Sequence, residues 1–265
     1  MIKLGVNSVL FKKYPFAEAA RAIKQAGYDG VEVSALEGMV DHLMPTNFSS
    51  VKADIKAAIE ETGLELLSCE VATQDRNRVK ATLEACAEIG IPVVNIGPGG
   101  KTDDEESFKQ VIESISALAE IAASYKVTLC CKAHVTNAVW NTPTTLRLME
   151  AVQNPWFGID MDPSHVYRAG EKPEKALPAV LSRTKHIHIR DCKGPGPSPG
   201  EPALQACGRG DIDLFGYFKA MAEGKYSGPV CLEVIGPELD MTSAAIIAAE
   251  SYGYMNACLK ILGAR

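Results

Sequence analysis

The sequence has no unbroken run of about 18 apolar residues, so no segment is predicted to cross a bilayer as a helix. It enters a strand-like segment at Met1-Ile2-Lys3-Leu4-Gly5, and we therefore expect no signal peptide and a soluble, cytoplasmic protein. Aromatic residues are also scarce, at 6%. Apolar residues at 46% and charged residues at 23% are ordinary for globular proteins and exclude disorder and collagen-like repeats.

Basic residues are the minority among the charges, with 27 Lys and Arg against 33 Asp and Glu, for a net charge of −6. Nucleic-acid binders normally carry a basic face that displaces phosphate counterions, so we expect no nucleic-acid partner. The eight cysteines show no Cys-x-x-Cys or zinc-site spacing. Most lie within apolar runs, which predicts reduced thiols in the core of a protein in a reducing compartment.

Short apolar runs recur along all 265 residues, and helical patterns follow them. Continuous apolar runs are typical of parallel strands that are covered on both faces. The predicted strands are Ile2–Asn7, Gly30–Ser34, Leu64–Val71, Pro92–Gly97, Val127–His134, Phe157–Asp162, His186–Asp191 and Pro229–Val234. Eight strand–helix units in about 260 residues predict an α/β protein, a (β/α)8 TIM barrel forming a single domain over residues 1–265.

A doubly wound open sheet is the competing architecture. It usually carries a glycine-rich phosphate turn after its first strand, and Val6-Asn7-Ser8-Val9 contains no glycine. The segment Lys193–Pro202 is rich in glycine and proline, which predicts a long loop after the seventh strand rather than a domain linker. Thr102 and Glu105 have the spacing of a capping box at the start of a helix.

Active sites of such barrels lie at the carboxyl ends of the strands. Polar residues gather at these predicted ends, and four of the five histidines are among them. In chain order the residues are Asn7, Glu32, Glu70, Asn95, Lys132, His134, Asp160, Asp162, His165, His186, His188, Asp191 and Glu233. This bias is the strongest functional signal in the sequence.

Strand alternation places residues two apart on the same face, so Lys132 and His134 can face one site. The carboxylates of Asp162 and Glu233 are hard oxygen ligands, and His188 supplies an imidazole nitrogen. Together these types suit Mn²⁺, Mg²⁺ or Zn²⁺. Such an ion would polarise a carbonyl and stabilise an enediolate.

Three late motifs resemble the xylose isomerase-like TIM barrel superfamily of sugar and sugar-phosphate isomerases and epimerases. They are Asp162-Pro163-Ser164-His165, His186-Ile187-His188-Ile189-Arg190-Asp191 and Gly228-Pro229-Val230-Cys231-Leu232-Glu233. The resemblance spans nearly the whole chain. It implies metal ligation by Asp162, His188, Glu233 and the residue at position 132, where the family has a glutamate.

Lys132 departs from the family pattern, because it stands in place of one of the two glutamates that the family uses as a proton-transfer pair. Three interpretations remain open. The ammonium could replace the metal; three remaining ligands could still bind an ion, as catalytic sites with an open position do; or Lys132 could form a Schiff base with a carbonyl substrate. Neighbouring carboxylates would raise the pKa of the lysine and oppose the third interpretation.

From these residues we expect an enzyme acting on a small polyhydroxylated carbonyl compound. The predicted reaction is isomerisation or epimerisation through an enediolate, formed by proton abstraction next to the carbonyl and assisted by a metal. Predicted catalytic residues are Glu233, His134 and Lys132, and predicted substrate contacts are His165, Arg209, Glu70 and Asn7.

Other functions remain open. A lyase or dehydratase needs only one base and is the closest alternative. If the protein were a non-catalytic sugar-binding relative, the loss of the glutamate at position 132 would be explained. A metal-dependent phosphodiesterase would need more metal ligands than this chain offers and a basic face. Homo-oligomer formation is also open.

Overall fold

Parallel strands and helices alternate along the chain in the computed structural model, which describes residues 1–265. The strands are β1 Lys3–Asn7, β2 Gly30–Leu36, β3 Val40–Asp41, β4 Glu65–Glu70, β5 Val93–Ile96, β6 Thr128–Lys132, β7 Phe157–Met161, β8 Thr184–Ile189 and β9 Pro229–Leu232. The helices are α1 Phe16–Gln25, α2 Lys52–Thr62, α3 Arg76–Ile89, α4 Glu105–Tyr125, α5 Thr142–Ala151, α6 Pro163–Arg168, α7 Pro173–Val180, α8 Leu214–Glu223 and α9 Met241–Ile261. Each of the eight predicted strands is present.

Eight of the strands close into a parallel barrel, because β1 pairs with both β2 and β9. The ninth, β3, is a two-residue strand antiparallel to the end of β2. Side chains fill the barrel interior. A Cβ added to Gly5 of β1 would lie 2.7 Å from Leu67 Cδ1 and 2.9 Å from Cys231 Sγ, so a larger residue there would require these side chains to move. The predicted single (β/α)8 barrel is confirmed, and the open sheet is excluded.

Two local predictions differ in outcome. The capping box at Thr102 and Glu105 is wrong, because Asp104 is the N-cap of α4 and accepts a hydrogen bond from the Ser107 amide. Thr102 instead donates its hydroxyl to the carbonyl of Asn137. The predicted loop at residues 193–202 contains no strand or α-helix, and a short 3-10 helix begins at its last residue, Pro202.

The state of the cysteines agrees with the prediction of unpaired thiols in the core. All eight cysteines are buried and free. Not one of the helices combines the length and apolar character needed to cross a membrane.

Candidate active site

The barrel register brings polar side chains from neighbouring strands to one level. Asn7 of β1 lies beside Glu32 of β2, and Lys132 of β6 lies beside Asp160 of β7. Because parallel strands end on the same side of the barrel, their carboxyl-terminal side chains share one space. The predicted clustering of polar residues at the strand ends is therefore present.

A cavity of about 300 Å³ opens at these strand ends. We call it the central cavity and define it by its six charged or titratable lining residues: Glu70, Lys132, His134, His165, Arg190 and Glu233. Five of these six, all except Arg190, are residues that the sequence analysis proposed for the site.

Lys132 lies at the centre of the cavity wall and is buried, with 5% of its surface exposed. Its Nζ lies 2.9 Å from Glu70 Oε1, and 2.9 and 3.0 Å from the two carboxylate oxygens of Glu233. Burial lowers the pKa of Lys132, but the two carboxylates outweigh it and hold the pKa above its ordinary value. Lys132 is therefore an ammonium cation.

Arg190 at the end of β8 is a second buried cation. Its Nη2 donates to Asp162 Oδ2 at 2.8 Å, and its Nε donates to Ser164 Oγ at 2.8 Å. Its Nη1 lies 3.2 Å from Glu233 Oε2 in an ion pair but makes no hydrogen bond. The sequence analysis missed Arg190, although its place two residues after His188 in the same strand-end motif is the signal that could have identified it.

The two carboxylates beside Lys132 differ in ionisation. Burial raises the pKa of Glu233, but Arg190 and Lys132 outweigh this and hold the pKa well below its ordinary value. Burial, followed by the negative charge of Glu233, raises the pKa of Glu70 to about 7. Glu233 is therefore the permanently ionised partner of the cations, and a carboxylate held in this way is a weak base.

His134 is the basic side chain in the cavity wall that is free of ion pairs. Its Nδ1 lies 2.8 Å from the carbonyl oxygen of Val135, which can only accept, so Nδ1 carries the proton and Nε2 has a lone pair. Nε2 has no hydrogen-bond partner in the protein. Burial lowers the pKa of His134, so the imidazole is neutral at neutral pH.

His165 packs against His134, with ring centroids 4.1 Å apart. It is the third residue of α6, which Asp162 caps by accepting the Ser164 amide at 2.8 Å. Burial, followed by the positive charge of Arg190, lowers the pKa of His165 well below its ordinary value. His165 is thus a neutral group in the wall, 3.0 Å from Arg190 Nη2.

A fully buried network lies beneath the cavity. His188 Nδ1 is 2.6 Å from Asp160 Oδ2, and its Nε2 is 2.5 Å from Glu32 Oε2. Burial lowers the pKa of His188, but Asp160 and Glu32 outweigh it and hold the pKa well above its ordinary value. His188 is therefore an imidazolium with a proton on both ring nitrogens.

Asn7 joins this network to the cavity. Its Nδ2 donates to Glu32 at 2.9 Å and to Glu70 at 2.7 Å. Asn7 is fully buried and does not line the cavity. Asn7 therefore orients Glu70 from beneath the cavity. The sequence analysis expected Asn7 to contact a substrate directly, and this position does not support that role.

The structure does not assemble Asp162, His188 and Glu233 as ligands of one ion. Asp162 binds Arg190, and Glu233 binds both Lys132 and Arg190. His188 lies between two other carboxylates and has no lone pair to offer. As arranged, this predicted ligand set does not fit a metal.

Three other buried groups have ligand atoms close enough together to hold a divalent metal. They are Glu32 with His186 and Cys231; Asp160 with His186 and His188; and Glu32 with Glu70 and His188. The last group borders the cavity through Glu70.

Arg209 lies outside the cavity. Its Nε and Nη2 pair with Glu250 at 2.7 and 2.6 Å, and 42% of its side chain is exposed. The loop that carries Arg209 is turned towards α9, so its expected role as a clamp on substrate has no support in the structure.

Comparison with known proteins adds sequence and fold relationships to this geometry. The family model described as xylose isomerase-like TIM barrel matches residues 20–257. An inosose dehydratase of Clostridium botulinum (strain Eklund 17B / Type B) is 24% identical over 144 residues, which are 49% of this chain and 48% of the relative. The chain thus aligns with about half the length of this curated relative.

Solved structures share the fold over nearly the whole chain. A D-tagatose 3-epimerase-like protein has a TM-score of 0.78 and 17% identity, covering 99% of this chain and 98% of the other. The IolI protein with a binding zinc atom has a TM-score of 0.78 and 20% identity, covering 98% and 99%.

Proposed function

The chain belongs to the xylose isomerase-like TIM barrel family, and on that premise we propose that it is an enzyme that dehydrates a small polyhydroxylated ketone. The reaction begins with removal of a proton from the carbon next to the carbonyl. The observation that carries the proposal is His134, which lines the central cavity and whose Nδ1 is held by the Val135 carbonyl, so that Nε2 is the unprotonated nitrogen. The inosose dehydratase relatives support this substrate class, because an inosose is a cyclic polyhydroxylated ketone.

The proposed first step uses His134 as the base. Its Nε2 takes the proton, the carbon–hydrogen bond breaks, and the electron pair moves onto the carbonyl oxygen to give an enolate. Lys132 and Arg190 lie in the same wall and stabilise the developing negative charge. Glu233 holds both cations in place.

The second step expels water. The electron pair returns from the oxygen, the bond to the hydroxyl at the next carbon breaks, and the imidazolium of His134 gives its proton to the departing hydroxyl. One side chain thus takes and returns the same proton, which needs no second base. Lys132 stands where the resemblance expected that second base.

Isomerisation is the second candidate, because one base can also move a proton between adjacent carbons of an enediolate. Epimerisation needs acid–base groups on both faces of one carbon, and Glu233, the expected partner, is held ionised by two cations. The D-tagatose 3-epimerase-like neighbour supports proton abstraction as the first step only through its similar fold.

A metal-assisted form of the first step is also a proposal. It is the alternative to stabilisation by Lys132 and Arg190. Glu32 and Glu70 offer oxygen donors that Mn²⁺, Mg²⁺ or Zn²⁺ accept, and His188 would become a nitrogen donor only after losing a proton. The zinc-containing neighbour supports this form. When bound, such an ion would polarise the carbonyl oxygen.

The test is to incubate the protein with an inosose and with linear ketoses in D₂O and to follow the products by NMR and mass spectrometry. Dehydration gives a product that has lost one water. Isomerisation gives a product of unchanged formula with deuterium on carbon. Binding without either product would identify a non-catalytic relative and contradict the proposal.

The pH profile should reflect His134. Because burial lowers the pKa of this side chain below its ordinary value of 6.5, the base stays unprotonated at neutral pH. We expect kcat/KM to fall on acidification below pH 6.5, through the lowered pKa of His134. A limb near pH 7 would instead reflect Glu70, whose pKa is about 7. A limb below pH 6.5 that persists in His134→Gln would assign the base to another group.

Lys132 should not form a covalent adduct. A Schiff base needs an unprotonated amine, and Glu233 and Glu70 keep Lys132 protonated. Borohydride added during turnover should therefore leave the mass of the Lys132 peptide unchanged. A mass increase on that peptide equal to the reduced substrate adduct would establish aldolase-type chemistry.

A further inference from the structure

Two side-chain cations lie among the residues that the family resemblance assigns to a metal. The Lys132 ammonium contacts Glu233 at 2.9 and 3.0 Å and lies 3.3 Å from His188 Nδ1. The Arg190 guanidinium spans Asp162 and Glu233, at 2.8 and 3.2 Å. Each member of the predicted ligand set therefore already faces a positive charge from this chain.

The histidine of that set cannot act as a ligand in this arrangement. His188 has carboxylate oxygens at 2.6 Å from Nδ1 and 2.5 Å from Nε2, and a carboxylate accepts hydrogen bonds but cannot donate them. Both ring nitrogens therefore carry protons. A divalent ion would have to displace a proton here and would also be repelled by Lys132 and Arg190.

The three other groups of ligand atoms are also engaged within the protein. Two of them include His188. The third includes His186, whose Nδ1 lies 2.9 Å from Asp160 and whose Nε2 lies 2.9 Å from Ser68 Oγ. The donor atoms are thus already joined by hydrogen bonds within the protein.

We propose that Lys132 and Arg190 form a fixed cation pair that replaces a divalent metal in this chain. The claim that the pair takes the place of a metal does not depend on the proposed function. The claim that the pair stabilises the enolate without a metal rests on that function. The pair also has a free donor for a substrate oxygen, because Arg190 Nη1 is buried without a hydrogen bond. The three hydrogens of the ammonium are taken up by Glu70 and by the two oxygens of Glu233.

The first test measures metal binding directly, using Mn²⁺ as the probe because it prefers oxygen ligands. The purified wild-type protein is analysed for metal content, titrated with Mn²⁺ by calorimetry and melted with Mn²⁺ or with EDTA. We expect no stoichiometric ion, no saturable binding and no change in Tm. One bound ion per chain, with a Tm that EDTA lowers, would overturn the proposal.

The second test removes the ammonium. Lys132→Glu restores a carboxylate and removes a positive charge, so this variant should gain saturable Mn²⁺ binding and a Tm that rises with Mn²⁺. Lys132→Gln removes the charge with less electrostatic strain and serves if the glutamate variant does not fold. Lys3→Gln, which breaks an exposed pair with Glu65, is the matched control and should gain nothing.

The outcomes separate the cation pair from the proposed reaction. Folded Lys132 variants that bind no more Mn²⁺ than wild type would overturn the cation pair, whatever the activity. Wild-type protein that binds no Mn²⁺ and dehydrates no ketone would retain the cation pair and overturn the proposed function. If the wild type is active, kcat should be unchanged after dialysis against EDTA, and a loss of activity restored by Mn²⁺ would overturn the metal-free electrophile.

Discussion

Replacing Lys132 by methionine should destabilise the fold by about 3–5 kcal/mol, the range found when one partner of a buried ion pair is removed. Methionine fills a similar volume but leaves Glu70 and Glu233 without the ammonium that lies 2.9 Å from each. Arg190 still faces Glu233, so the destabilisation should lie nearer the lower end of the range. Chemical denaturation with urea measures the change as a shift of midpoint.

The control for this prediction is Lys3→Met. Lys3 and Glu65 form an exposed pair, with 43% and 55% of their side chains accessible. Exposed pairs contribute about 0–1 kcal/mol, so this variant should unfold within about 1 kcal/mol of wild type. Equal effects of the two substitutions would show that the ammonium of Lys132 does not stabilise the buried carboxylate of Glu233.

Replacing His134 by glutamine should lower kcat by about 10²–10⁴-fold, the usual contribution of a positioned general base. Glutamine can still donate to the carbonyl of Val135, but its amide cannot take a proton from carbon at neutral pH. Because His134 makes no ion pair, the free energy of unfolding should change by less than about 1 kcal/mol. Steady-state kinetics and urea denaturation on the same preparation measure both quantities.

Arg209→Ala is the matched control for catalysis. Arg209 pairs with the half-buried Glu250 and lies outside the central cavity, so kcat should stay within about twofold of wild type, an energy difference below about 0.5 kcal/mol. If Arg209→Ala reduced kcat as strongly as His134→Gln, the loop with Arg209 would have to reach the substrate, and the assignment of the cavity wall would be wrong.

The barrel was predictable because parallel strands covered on both faces are continuously apolar, and eight such runs alternate with helices. Closure also brought the strand-end polar residues together, some in the cavity wall and others in the network beneath it. Strand ends shifted by one or two residues in several cases. β8, for example, begins at Thr184, two residues before the predicted start.

Side-chain pairing was less predictable than position. Sequence spacing places Asp162, His188 and Glu233 near one another but does not reveal which cation each one meets. Arg190 decides this, because its guanidinium reaches across from β8 to both Asp162 and Glu233. Arg209 lies between two glycines, and the sequence analysis expected it to contact the substrate. Its actual partner, Glu250, depends on the path of the loop, which sequence spacing does not reveal.

The most direct measurement compares single-turnover rates of an inosose carrying hydrogen or deuterium on the carbon next to its carbonyl, with enzyme in excess. Breaking the carbon–hydrogen bond at His134 predicts slower conversion of the deuterated compound by the wild type and almost no conversion of either compound by His134→Gln. Equal rates for the two compounds, with the deuterium fully retained in the product, would contradict proton abstraction at that carbon.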